Sequence, residues 1–215
     1  MLITDLGFSK DIIFETIIST YDKAGNPDAA PMGVVMEDEQ TLRLRIFNTS
    51  KTLQNLRESH CATINLTSNV DIFYKAAFKE ANFNGKLPQE WFERSKKIDA
   101  PKLRMADATI DVSVARMEQI DADRTLVLCK IVGVSAAKQY PKAYCRAMAL
   151  ILEAITHATR IKAYINDDSQ KEKVARLIGI VENNQSIINR VAPNSAYSVV
   201  MADLVERIDL WRNKR

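Results

Sequence analysis

The chain has 215 residues, of which 47% are hydrophobic and 27% charged, and carries a formal net charge of +3. That is enough apolar material for one sizeable domain or a domain with an appendage, and it excludes a disordered chain. Lysines and arginines alternate with acids rather than massing together, which suits a small anionic ligand and argues against a nucleic-acid surface.

The first strand is expected at residues 12–20, IIFETIIST, from its β-branched and aromatic content. YDKAGNPD follows, where Asp22, Gly25, Asn26 and Pro27 supply a tight reversal, so residues 29–36 return as the second arm of a hairpin. Pro31 cannot donate to a ladder, which makes this an edge strand or one broken at Pro31. Met32 and Gly33 come next, and a glycine there either marks a bulge or lets something approach the backbone closely.

In TLRLRIF, residues 41–47, Leu42, Leu44 and Ile46 alternate toward a core while Arg43, Arg45 and Phe47 face outward. The strand runs into TSKTLQNL, where a helix is expected over residues 51–59 with Leu53 and Leu56 buried and Lys51 and Asn55 on another face. Unpaired amides of a first helical turn, the hydroxyls of Ser50 and Thr52, and the charge of Lys51 could together hold a phosphate, with Arg45 in support. The same residues also make an ordinary N-cap.

CATINLT returns as a strand, and VDIFYKAAFKE reads as mixed extended and helical. NFNGKLPQEWFERSKK reads as a loop entering a short helix anchored by Trp91 and Phe92, covering either a site or a hydrophobic patch. Strands at 108–117 and 125–135 bring the count to about six, the signature of a closed or nearly closed antiparallel barrel. From Pro141, placed in a first helical turn, the pattern becomes helical. Ala147, Leu150, Ile151, Ala154, Ile155, Ala158 and Ile161 form an apolar stripe, and Arg146, Glu153, His157 and Arg160 a polar one. Further helices are expected at 171–191 and 198–213, separated by Pro193 and Asn194. The fold class is therefore α+β: a six-stranded antiparallel barrel domain at 1–140, then a C-terminal helical module at 141–215 suited to self-association.

Cys61, Cys129 and Cys145 are far apart and unpaired in pattern, and His60 and His157 are the only histidines. A reduced, cytoplasmic setting without a metal site is expected. So are the absence of a leader and of a membrane anchor.

APMGVV, LRLRIF, SKTLQNLRES and CATINLT, in that order from Glu15 to about Phe78, resemble the FMN-binding split-barrel proteins, relatives of flavin reductases and pyridoxamine-phosphate oxidases. Within them the chain looks most like an archaeal family labelled DUF447, with HATR at 157–160 as a second point of agreement. The resemblance implies FMN, with Ser50, Lys51 and Thr52 at the phosphate and Arg45 assisting. Phe47, Asn55 and the backbone of Pro31, Met32 and Gly33 would border the ribityl chain and ring. His157 and Arg160 would approach from the helical part of either copy of a homodimer with FMN near its interface. The implied activity is NAD(P)H-linked flavin-dependent oxidoreduction of an unidentified substrate, and no side chain presents itself as a catalytic acid or base. The pattern equally admits a deazaflavin, a non-catalytic flavin or phospho-ligand binder, or a structural dimer without cofactor.

Overall fold

A computed structural model describes residues 1–10, 12–137 and 145–213. The chain divides into two compact units, residues 1–67 with 78–140 and residues 68–77 with 141–215. The second unit takes in a segment from the middle of the barrel sequence.

In the first unit, strands β1 (Ile13–Tyr21), β2 (Pro27–Asp38), β3 (Thr41–Phe47), β4 (Cys61–Leu66), β7 (Ala108–Gln119) and β8 (Arg124–Ala136) close into an antiparallel barrel in the order β1-β2-β3-β8-β7-β4. Leu42, Leu44 and Ile46 are buried as their alternation requires, in one core with Ile18, Val34, Ile64, Ile110, Val127 and Cys129. Helix α1 (Lys51–Ser59) adds Leu53 and Leu56 to the same core.

Strand β2 runs unbroken through Pro31, which pairs with Ile17 of β1. On its other side β2 meets β3 only from Val34 onward. Pro31 therefore lies in the half of the strand without a second neighbour, where a missing N–H breaks no ladder.

Strands β1 and β4 are buried at consecutive positions. A two-stranded hairpin, β5 (Phe92–Arg94) and β6 (Pro101–Leu103), packs against them. Ser19 Oγ donates to Pro101 O at 2.6 Å, Asn65 Nδ2 to Ser19 Oγ at 2.9 Å, and Leu103 N to Asn65 Oδ1 at 2.8 Å. Ser95 Oγ donates to buried Asp111 at 2.8 Å, and Thr63 Oγ1 to the same carboxylate at 3.1 Å. Where a short helix was expected around Trp91 and Phe92, the chain forms a single 3-10 turn over Gln89–Trp91 and then this hairpin.

The second unit contains α2 (Val70–Ala77), α3 (Ala147–Tyr164), α4 (Lys171–Val191) and α5 (Ala196–Asn213). All apolar positions of the α3 stripe are buried except Leu150, which is half-buried. Helix α3 packs on α4 and α5, and α2 joins α3 and α5. The ambiguous VDIFYKAA is therefore a helix of this unit. Tyr74 of α2 donates its hydroxyl to Asp203 of α5, and Arg207 Nε donates to the Tyr74 hydroxyl and, at 3.0 Å, to Asp203 Oδ2. Burial, and next the Asp203 hydrogen bond, push the Tyr74 phenol up. The expected helix start at Pro141 lies outside the described residues.

Candidate functional site

The turn from β3 into α1 is fixed from outside itself. Asn48 N donates to Asp123 O at 2.7 Å, Asn48 Nδ2 to Ala122 O at 2.9 Å, and Thr125 Oγ1 to Asn48 Oδ1 at 2.6 Å. These bonds pin the helix start to the β7–β8 turn. Ser50 has extended backbone angles and accepts from Leu53 N at 3.1 Å, the geometry of an N-cap. Gln54 N makes the first intrahelical bond, to Ser50 O. Among the described residues, the amides of Lys51 and Thr52 are left as unpaired donors of the first turn. The first turn of α1 contains no acidic residue. A positive helix end with Lys51 added to it favours an anion nearby.

Lys51 is about half exposed, with Nζ 3.8 Å from Asp22 Oδ2. Thr52 is buried. Asn55 does not share an open face with Lys51. The residue is 4% exposed, and its side chain donates to Thr20 Oγ1 at 2.9 Å, tying α1 to β1. Arg45 and Phe47 stand on the outer face of β3, and the Arg124 guanidinium lies 4.9 Å from the centre of the Phe47 ring. Thr16 Oγ1 donates to the Met32 carbonyl at 2.9 Å. At Gly33 an added Cβ would come within 2.7 Å of Ile13 Cγ2, so what approaches that glycine is the protein's own isoleucine.

His157 and Arg160 belong to the helical unit. His157 is 7% exposed rather than part of an open stripe, with Nε2 3.1 Å from Glu153 Oε1 and Nδ1 buried without a partner among the described residues. Arg160 is exposed.

Beside Lys51 lies a cavity of about 550 Å³. The β1–β2 turn contributes Asp22 and Asn26, the start of β2 contributes Asp28, and the segment after Phe78 contributes Lys79, Lys86 and Gln89. The Asp22 carboxylate accepts from Ala24 N at 3.0 Å, Asn26 N at 2.8 Å and Asn26 Nδ2 at 3.2 Å. These bonds, the Asn26 amides foremost, hold its carboxyl below the usual range. Lys79 Nζ donates to Asp28 Oδ1 and, at 2.6 Å, to Ala29 O. Burial pulls the Lys79 ammonium down, and Asp28 opposes that pull. A second cavity, about 640 Å³, shares Asp22 but sets Glu58 and Asp99 beside it against Lys23 and Arg94. Its excess of carboxylates makes it the poorer place for a phosphate.

Sequence reasoning missed Lys79 and Lys86 as companions of Lys51. The only local sign was the NFNGK loop, read as a cover and not as a source of charge.

A family model described as the N-terminal domain of a protein of unknown function, DUF447, matches residues 14–137. The chain belongs to the DUF447 family. The family expected from APMGVV through CATINLT is thus the one found. Among solved structures, an FMN-bound DUF447 protein from Methanosarcina mazei is similar over 96% of this chain and 99% of its own, at 20% identity and a TM-score of 0.77. A split-barrel protein from Shewanella frigidimarina matches 62% of this chain and 73% of its own, at 17% identity and a TM-score of 0.50. Component B of nitrilotriacetate monooxygenase from Bacillus cereus matches 68% and 81%, at 16% identity and 0.50. At such identities the likeness is one of fold. It places this DUF447 chain among the barrels that the motifs led one to expect.

Proposed function

We propose that this DUF447 protein binds FMN, with the flavin phosphate at the start of α1. The observation that carries the proposal is the pair of unpaired amides at Lys51 and Thr52, in a helix start that has a lysine and no acid. The fold it shares with an FMN-bound relative supports the choice of anion. Two or three charge-assisted hydrogen bonds of about 1.5–3 kcal/mol each supply a large part of the roughly 8 kcal/mol that micromolar affinity requires. Ser50 is committed to capping and Asn55 to Thr20, so the phosphate is assigned to Lys51 and the two amides.

Bound FMN would supply hydride and single-electron chemistry, which requires no acid or base from the protein. We further propose an NAD(P)H-linked oxidoreductase that works as a homodimer. The test is the visible spectrum of the purified protein, followed by FMN titration and anaerobic addition of NADH or NADPH. A flavin spectrum that bleaches with either donor is expected. A protein that neither carries flavin nor quenches added FMN refutes the cofactor, and a bound flavin that neither donor reduces refutes the reductase.

A further inference from the structure

We propose that the cavity formed by the β1–β2 turn, Lys51 and the 79–89 segment takes the phosphoribityl arm of the flavin, with Lys79 and Lys86 reading its phosphate. The inference rests on the flavin reading and extends it to residues outside the helix start.

The lining chemistry selects the arm over the ring. Three ammonium groups, two carboxylates and two amides face the cavity, while Pro27 and Leu87 are its principal apolar contributions. An isoalloxazine needs an apolar or aromatic bed, whereas a phosphorylated polyol needs cations at one end and hydrogen-bonding partners along its length. Asp28 is paired with Lys79 and Asp22 lies 3.8 Å from Lys51. Three ammonium groups against two carboxylates leave the cavity with a net positive charge. The remaining carboxylate lone pairs, with the carbonyl oxygens of Asn26 and Gln89, suit the hydroxyls of a ribityl chain.

The two further lysines have different roles. Lys79 is held in place by Asp28 and the Ala29 carbonyl, which leaves one ammonium hydrogen for a ligand. Lys86 is exposed and forms no ion pair among the described residues, so its charge is uncompensated. A volume of about 550 Å³ falls within the range of small-molecule sites and exceeds what an inorganic phosphate would need.

The experiment compares FMN, riboflavin and ribitol 5-phosphate on the full chain. In the parent protein FMN should bind at least about tenfold more tightly than riboflavin, and ribitol 5-phosphate should displace it. Lys86→Ala, at an exposed position that should not disturb folding, should weaken FMN about tenfold and leave riboflavin unchanged. Lys79→Met should do the same, with its fold checked by circular dichroism, and Lys79→Arg should restore part of the loss. If both variants leave the FMN-to-riboflavin ratio intact while Lys51→Ala lowers it, the arm lies elsewhere and the flavin reading stands. Failure of ribitol 5-phosphate to displace FMN also overturns the inference. A parent protein that binds neither flavin overturns the flavin reading and the inference together.

Discussion

Replacing Lys51 with alanine separates a binding residue from a structural one. A lysine in the first turn of a helix opposes the positive end of the helix, at a cost of about 0.3–1 kcal/mol when exposed. Its side chain is 54% exposed and Asp22 lies 3.8 Å away, so part of that cost is already screened. Alanine is also the better helix former. Ligand-free Lys51→Ala should therefore match the parent protein or exceed it by up to about 0.5 kcal/mol in urea unfolding followed by circular dichroism. The same change removes a charge-assisted contact of about 1.5–3 kcal/mol to the phosphate, which raises the FMN dissociation constant roughly 10- to 150-fold by fluorescence titration. A binding residue thus shows affinity falling while stability holds or rises. A variant that loses more than about 1 kcal/mol of stability while keeping full FMN affinity would sink the assignment and make Lys51 part of the scaffold.

Three further outcomes follow from the same geometry. Asn55→Ala leaves the Thr20 hydroxyl buried and unpaired and should cost about 1–3 kcal/mol, whereas combining it with Thr20→Val should cost clearly less than the sum of the two single changes. Strict additivity in urea midpoints would mean that the pair does not couple α1 to β1. Gly179 lies inside α4 with nothing within 4 Å of an added Cβ, so Gly179→Ala should stabilise the helical unit by about 0.5–1 kcal/mol, read as a higher thermal midpoint. A lower midpoint would show that the open space there is needed. Burial pushes the Cys129 thiol up to about 12 from an ordinary value of 9.0. Its folded pKa is raised, so its contribution is complete below pH 9 and fades as pH climbs toward 12, at up to about 1.4 kcal/mol per unit. Cys129→Ala should start less stable and lose stability more slowly between pH 9 and 11, and parallel curves would rule the thiol out as the cause.

What could be read directly was local. The alternation in β3, the hydroxyl that caps α1 and the extent of α4 all follow from side chains within one turn or strand of one another. Other features depend on partners far along the chain. Asn55 was placed outside by its polarity, but Thr20, 35 residues earlier, gives its amide a buried acceptor. The strands of the β5–β6 hairpin have three residues each, too short to show a period, and are held by Ser19 and Asn65. Helix α2 is apolar on most sides, and the helices that bury it come some 70 residues later. Lys79 and Lys86 meet Lys51 only because the barrel brings two connections to the same place.

The loan of α2 to the helical unit has a consequence for dividing the molecule. The helical unit cannot be made as a continuous piece: a fragment starting at residue 141 would lack the helix that α3 and α5 enclose and would expose the faces that bury Ile72 and Phe73. Conversely, a chain cut once between β8 and α3 should not release either part, because α2 packs against α3 and α5. The nicked chains would run as two bands in detergent and elute as one species in buffer, with α2 serving as a built-in clasp.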